Sequence, residues 1–282
     1  MVDDGSTDGS AEVARSFGAT LLGNGARQGP AHARNLGARA ARGALLFFVD
    51  ADVAVHRDTL ARVVDHFQLD ATLDALMGAY DDSPACANFV SQYKNLQHCF
   101  VHRHGKRRAS TFWTGCGAIR REVFEVVGRF DERLMAIEDI EFGYRLHAAA
   151  RRVLLDPEVQ VQHLKRWTVR GWLRTDIFVR AIPWTLLILR HRRMPNDLNT
   201  DWRERASVLG VFLSLVYPPF SLALLAPVLW LNKEFYLFLS SKRGPAFALR
   251  AMPLHLFYFL YSGASFAAGC VFYAWRALCD RA

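Results

Sequence analysis

An apolar run, Ala44-Leu45-Leu46-Phe47-Phe48-Val49, begins just after Gly43 and stops abruptly at Asp50-Ala51-Asp52. A run of this length, bounded by glycine and by acids, predicts a strand buried on both faces of a parallel sheet. Such sheets take their ligands beyond the carboxyl ends of the strands, where Asp50 and Asp52 fall. Residues two apart on a strand share a side, so both carboxylates can face one hard cation. An Asp-x-Asp pair alone is equally an ordinary solvated strand end, so its neighbours decide what it means.

Upstream, Val2-Asp3-Asp4-Gly5-Ser6-Thr7-Asp8-Gly9-Ser10 reads as a strand end breaking into a polar loop, with Ser10 as N-cap of a short helix to Phe17. An alanine-rich helix over Gly29–Gly43 carries Arg34 and Asn35 just ahead of the acidic strand. Downstream, residues 58–69 have the apolar spacing of a helix, 73–80 that of a strand, and 87–101 that of another helix. In Thr111-Phe-Trp-Thr-Gly-Cys-Gly117, Gly115 and Gly117 would let backbone approach a ligand, and Phe112 and Trp113 offer flat apolar surface. Cys116 has no neighbouring histidine and reads as a small packing residue. Glu138 and Asp139 fall in the first turn of a helix whose apolar face is Ile137, Ile140 and Tyr144; there the helix dipole favours the ionised carboxylate while limiting its basicity.

Taken in order, the Val-Asp-Asp-Gly-Ser loop, the segment Gly29-x-x-x-Ala-Arg-Asn-x-Gly37 and the strand ending Asp50-x-Asp52 resemble glycosyltransferase family 2 of the GT-A fold. The resemblance implies an α/β, Rossmann-like nucleotide-diphospho-sugar transferase domain and a nucleotide-sugar donor, a UDP-sugar first. It implies Asp3 and Asp4 near the nucleoside, Asp50 near ribose or diphosphate, Arg34 at the diphosphate, and Asp52, with Asp50, on Mg2+ or Mn2+. Trp113, Gly115, Cys116 and Gly117 would line the acceptor side. Glu138-Asp139 matches the family's Glu-Asp region, which makes Asp139 the base. His163-Leu-Lys-Arg-Trp167 resembles the Gln-x-x-Arg-Trp motif of processive members with His163 in place of Gln. That departure argues against a polymerase and leaves His163 for metal or diphosphate and Arg166 for diphosphate. One base without a protein nucleophile implies inversion at the anomeric carbon. Family members open with a further strand and helix that hold part of the nucleotide; this sequence opens at Val2, so an N-terminally truncated GT-A domain is expected.

Charge and hydropathy divide the chain into a catalytic domain over 1–164, a basic, tryptophan-bearing interfacial segment over 165–205, and a membrane tail over 206–282 with hydrophobic stretches at about 208–231 and 254–275. The net charge of +8 and pI near 9.5 suit an anionic partner. Arginines interleaved with Trp167, Trp172 and Trp184 and followed by lipophilic stretches favour an anionic membrane and exclude nucleic acid. Pro218-Pro219 must kink the first stretch or turn it back as a re-entrant hairpin. The five cysteines show no Cys-x-x-Cys spacing and read as reduced thiols. Met1 is followed at once by Val2-Asp3-Asp4, unlike a signal peptide. The expectation is an inner-membrane protein, multi-pass or re-entrant, with its catalytic domain in the cytoplasm and a lipid-linked or cell-envelope glycan acceptor. Two rivals explain fewer motifs: a haloacid-dehalogenase-like phosphatase with Asp50 as nucleophile, and a degenerate membrane scaffold.

Overall fold

A computed structural model describes residues 1–23 and 26–279. In chain order the elements are β1 (Val2–Asp3), α1 (Ser10–Ser16), β2 (Leu22–Gly23), α2 (Pro30–Ala40), β3 (Leu45–Val49), β4 (Val53–Val55), α3 (Thr59–Leu69), β5 (Ala75–Tyr80) and α4 (Phe89–His104). There follow β6 (Cys116–Arg120), α5 (Arg121–Val127), α6 (Glu138–Ala148), β7 (Val153–His163), α7 (Val169–Arg174), a π-helical turn over Thr175–Ala181 and α8 (Ile182–His191). The chain closes with α9 (Trp202–Val216), α10 (Ser221–Leu231), α11 (Lys233–Arg243) and α12 (Pro245–Cys279). Contacts divide it into two units: Met1–Ala51 with Leu60–Gly78 and Arg108–Leu154, and Asp52–Thr59 with Ala79–Arg107 and Leu155–Ala282.

In the first unit β1 and β2 pair in parallel, and β3 and β6 form an antiparallel ladder from Leu45↔Arg120 to Val49↔Cys116. β6 also pairs antiparallel with β5, Leu76 opposite Ala118. The expectation of a parallel, doubly buried strand at 43–53 is corrected. In β3 Leu46 and Phe48 are buried, Leu45 and Phe47 half-buried, and Val49 exposed. An antiparallel strand needs only one covered face, and apolar residues on its other face raise no barrier to that. Phe48 joins Phe124, Phe130 and Phe142 in a cluster with ring centres 5.1–5.5 Å apart. Aromatics of this kind each remove on the order of 150–250 Å2 from water.

In the second unit β4 lies antiparallel to the end of β7, with Val53 opposite His163. The apolar core gathers Tyr93 and Leu96 of α4, Trp167, Trp172 and the buried faces of α9–α12. Trp172 is fully buried and Trp167 nearly so, which corrects their reading as headgroup-level anchors. The exposed positions of that helical run are Val169, Arg170, Arg174, Phe178, Val179, Arg190, His191 and Arg192.

The stretch expected at 208–231 is not one straight span. α9 ends at Val216, a tight turn over Pro218–Phe220 reverses the chain, and α10 packs back along α9. A Cβ added to Gly210 would lie 2.5 Å from Val228, Ser221 Oγ donates to the Ser214 carbonyl at 2.7 Å, and Asn232 Nδ2 donates to Ser207 Oγ at 2.8 Å. Proline, which lacks an N–H, ends one helix and opens the next. With 15 and 11 residues, α9 and α10 reach only about 22 and 16 Å, short of a hydrocarbon core about 30 Å thick. α12, with 35 residues, is the one described helix long and apolar enough to cross a membrane, and the pair from Pro218 to Arg243, bent by 64°, would be a second if counted as one span.

Candidate active site

Two polar centres stand out, one in each unit. In the first, Arg34 projects from α2 and is bonded to two carboxylates: Nη2 donates to Asp50 Oδ1 at 2.6 Å, and Nη1 donates to Glu138 Oε1. Glu138 and Asp139 open α6 as the pattern predicts. The residue before them, Ile137, is held at φ +57°, a left-handed conformation that costs a β-branched residue energy and persists where the surroundings enforce it. Asp139 is half-buried and accepts three hydrogen bonds: the Ile140 N–H at 2.8 Å, and the Thr114 N–H and hydroxyl at 3.3 Å each.

Three carboxylates thus share one guanidinium. Burial pushes both Glu138 and Asp139 above the ordinary carboxyl range, for Glu138 aided by the charge of Asp139 and for Asp139 by that of Asp50, while Arg34 opposes both. This corrects the expectation of a weak base set by the helix dipole. The Ile140 N–H of the first turn and the Thr114 N–H do donate to Asp139, but removal from water outweighs them.

The glycines around Thr114 serve the protein's own packing. A Cβ on Gly117 would fall 2.3 Å from the Trp113 carbonyl oxygen, and one on Gly115 2.2 Å from the Trp113 ring. A Cβ on Gly143 of α6 would fall 2.4 Å from the Phe112 nitrogen. The expectation that Gly115 and Gly117 open space for a ligand is therefore replaced by close chain contacts that fix Thr114 beside α6. Trp113 is half-buried, Phe112 is core, and the buried Cys116 thiol is pushed up to about 12, which leaves it inert at neutral pH.

Asp3 and Asp4 hold their own loop. Asp3 Oδ1 accepts the Ser6 N–H at 2.8 Å, and Asp4 accepts the Gln28 and Gly29 N–H groups at 2.8 Å each, tying the loop to the start of α2. Gly29 has φ +96°, which glycine adopts without strain. Asn35, 3% exposed, exchanges hydrogen bonds with the backbone of Phe130 and donates to Glu132 at 2.8 Å, fixing α2 to the segment ahead of α6.

In the second unit Asp52 Oδ2 lies 3.8 Å from His163 Nε2 and 3.6 Å from Lys165 Nζ. The nearby His163 ring and the positive charge of Lys165 hold Asp52 below the usual carboxylate range. The His163 ring stacks on Tyr80 at 4.2 Å, and the Leu164 N–H donates to the Asp52 carbonyl at 2.8 Å. Among the described residues no three His, Cys, Asp or Glu side chains form a ready cation cage; of the expected metal set, Asp52 and His163 lie near each other in the second unit, and Asp50, in the first, is bonded to Arg34. Arg166 is exposed and belongs to neither centre. Sequence reasoning missed Thr114 and Lys165, because a lone threonine between Trp and Gly, or one lysine in a basic run, carries no motif.

The model of the family "Glycosyl transferase family 2" matches residues 1–128. Over those residues the chain is similar to that family. Pre-mycofactocin glycosyltransferase of Mycobacterium tuberculosis is 30% identical over 159 residues, 54% of this chain and 33% of that protein. Glycosyltransferase AglE of Haloferax volcanii is 29% identical over 157 residues, 51% of this chain and 49% of that protein. The chain therefore spans between a third and a half of the length of these curated relatives. The solved structure of mannosyltransferase PcManGT from Pyrobaculum calidifontis, in complex with GDP-Man and Mn2+, superposes with a TM-score of 0.57 at 22% identity, covering 98% of this chain and 77% of that one. This likeness shows the fold, an α/β GT-A domain followed by helices.

Proposed function

We propose that this chain is a metal-dependent, inverting glycosyltransferase that moves a sugar from a nucleotide-diphosphate donor to a hydroxyl of a lipid-linked or cell-envelope glycan acceptor. The observation that carries the reading is Asp139, a carboxylate made more basic by burial, held by Thr114 and the first turn of α6, with the positive charge of Arg34 opposing the rise. Such a group accepts the proton of an attacking hydroxyl. Glu138 and Asp50 set its field through Arg34. With no second carboxylate assigned as nucleophile, the hydroxyl attacks the anomeric carbon directly and configuration inverts.

The donor set at Asp52 fits a divalent cation. The Asp52 carboxylate suits Mn2+ or Mg2+, and the His163 imidazole nearby can join it on Mn2+, with the Lys165 ammonium as a competitor for the same carboxylate. Two protein ligands leave the remaining positions to a diphosphate and water, the usual habit of such ions. When bound, the metal supplies charge neutralisation for the departing diphosphate. The mannosyltransferase with the same fold was solved with GDP-Man and Mn2+, which supports this reading.

The membrane setting rests on α12 and on the exposed Arg170, Arg174, Phe178, Arg190 and Arg192. Cations with an apolar ring on one helical run suit an anionic surface, on the cytoplasmic side of the inner membrane. Incubating the full chain in neutral micelles with UDP- or GDP-sugars, Mn2+ and a dodecyl glycoside tests the whole. Release of the nucleoside diphosphate with sugar transfer, abolished by Asp139→Asn, is the expected result. Release that survives Asp139→Asn unchanged would remove Asp139 as base, and no turnover with any donor would overturn the transferase reading.

A further inference from the structure

Apart from both carboxylate centres, the second unit holds an open groove of about 590 Å3 lined by Ala87, Phe89, Gln92, Arg243, Phe247 and Arg250, a size typical of small-molecule sites. Arg243 is fixed in place: its Nε donates to Gln92 Oε1 at 2.6 Å, Nη2 to the Asp82 carbonyl at 2.7 Å and Nη1 to the Lys242 carbonyl at 2.8 Å. A guanidinium has five N–H donors, so two remain for another acceptor. Arg250 is exposed, with its guanidinium 4.6 Å from the Phe89 ring centre and no carboxylate partner among the described residues. Phe89 and Phe247 meet edge to face at 4.9 Å. The nearby acid, Asp82, is already matched by Lys242 at 2.7 Å and Arg103 at 3.7 Å. The groove therefore presents uncompensated positive charge over aromatic surface.

Its place narrows the occupant. Arg243 ends α11, and Phe247 and Arg250 lie in the first turns of α12, the helix long enough to cross a bilayer. An acidic peptide would match the arginines but not two aromatic rings at the head of a lipophilic helix. A phosphate monoester has the oxygen geometry that planar guanidinium groups bind in pairs, and an alkyl chain has the apolar surface that the rings cover.

We propose that this groove binds the phosphate and first carbons of a long-chain lipid phosphate, and that it anchors the lipid end of the acceptor. The second half of this statement rests on the lipid-linked reading given under Proposed function.

The test uses the full chain in neutral maltoside micelles and a dodecyl phosphate carrying a diazirine near its headgroup. Photolabelling is expected to be saturable, to map to peptides containing Phe89 or Phe247, and to be displaced by dodecyl phosphate but not by equal concentrations of dodecanol or inorganic phosphate. Arg250→Gln should cut labelling at least fivefold and Arg250→Lys about half as steeply, while Arg276→Gln, late in α12, should leave it unchanged. Equal displacement by dodecanol would make the site merely apolar, and equal displacement by inorganic phosphate would make the ligand a free anion; either overturns the proposal. Loss through Arg276→Gln to the same degree would reduce it to general surface charge. Should Arg250→Gln fail to fold, the competition series on the unaltered protein decides alone. Labelling is also to be read in Asp139→Asn: lost transfer with labelling intact leaves the groove standing, whereas intact transfer without labelling in the unaltered protein removes it.

Discussion

Arg34 holds Asp50 with one terminal nitrogen, at 2.6 Å, and Glu138 with the other. A single guanidinium thereby joins the end of β3 to the start of α6, and Asp139 follows Glu138 directly. Because three acids share that one cation, neither Glu138 nor Asp139 sits in an environment that balances its charge. Basicity at this point is therefore obtained at a cost in stability, an arrangement common where function and folding compete.

The cost has a sign that can be measured. Glu138 has a folded-state pKa raised above its unfolded value, so the folded protein keeps that proton to higher pH than the unfolded chain does. Its contribution is favourable below the unfolded value, near 4.3, and is lost as pH rises through the raised folded pKa. Glu138→Gln keeps an oxygen for Arg34 and removes the charge. It should melt higher than the unaltered protein at pH 7, with the advantage shrinking toward pH 4. An equal difference at both values would show that the folded pKa is not raised. Asp139→Asn, measured alongside, should lower transfer by about 10²–10⁴-fold, the usual range for a lost general base.

Packing of α6 against the Thr111-Phe112 backbone gives a second expectation. The contact that a Cβ on Gly143 would make, 2.4 Å to the Phe112 nitrogen and 2.6 Å to Thr111, is with main chain that cannot rotate away. Gly143→Ala should cost about 1–3 kcal/mol by denaturant titration and lower transfer further by shifting Asp139 from Thr114. At Gly115 the nearest atoms belong to the Trp113 ring, a side chain that can shift more readily than main chain, so Gly115→Ala should cost less stability. A Gly143→Ala protein with unchanged stability would contradict the close approach.

These cases show what was readable in advance. Asp50 and Asp52 at a strand end followed from an apolar run that stops at acids, and Glu138 and Asp139 in a first helical turn from the helical spacing of Ile137, Ile140 and Tyr144, local signals that the structure keeps. The reversal at Pro218-Pro219 was likewise local, because proline restricts its own backbone. Strand direction was not readable: Leu46 and Phe48 specify one buried face, whereas the pairing of β3 with β6, some 70 residues on, depends on Cys116–Arg120 fitting beside it. Trp172 shows the same limit, since its arginine-rich surroundings suggest a surface while its indole N–H finds Asp176 at 2.8 Å inside the core. Thr114 was silent because its role exists only once Gly143 brings α6 alongside.

At Asp52 the Lys165 ammonium stands where a metal would compete for the same carboxylate. Asp52→Asn should weaken Mn2+ binding at least tenfold, followed by electron paramagnetic resonance of free Mn2+. Lys165→Gln should strengthen Mn2+ binding in the absence of nucleotide by about twofold to fivefold, matching the roughly 0.2–1 kcal/mol of a solvent-exposed pair. Weaker binding in Lys165→Gln would mean that the lysine supports the cation instead of opposing it.

The buried pair of Lys94 and Asp176 carries the last expectation. Lys94 Nζ donates to Asp176 Oδ2 at 2.5 Å, and the same oxygen accepts the Trp172 N–H at 2.8 Å and the Tyr261 hydroxyl at 2.7 Å. The two charged side chains are only 5% and 8% exposed, so each depends on the other for charge balance, with Arg180 a weaker partner at 3.8 Å. Lys94→Met leaves Asp176 charged in an apolar core and should destabilise by about 3–5 kcal/mol. Adding Asp176→Leu removes the orphaned charge and should recover most of that loss, because a well-packed apolar pair replaces a buried ion pair at little net cost. Thermal melts in neutral micelles across the full double-mutant cycle measure the coupling. If the double variant is no more stable than Lys94→Met alone, the hydrogen bonds from Trp172 and Tyr261, and not the charge pair, hold this part of the core.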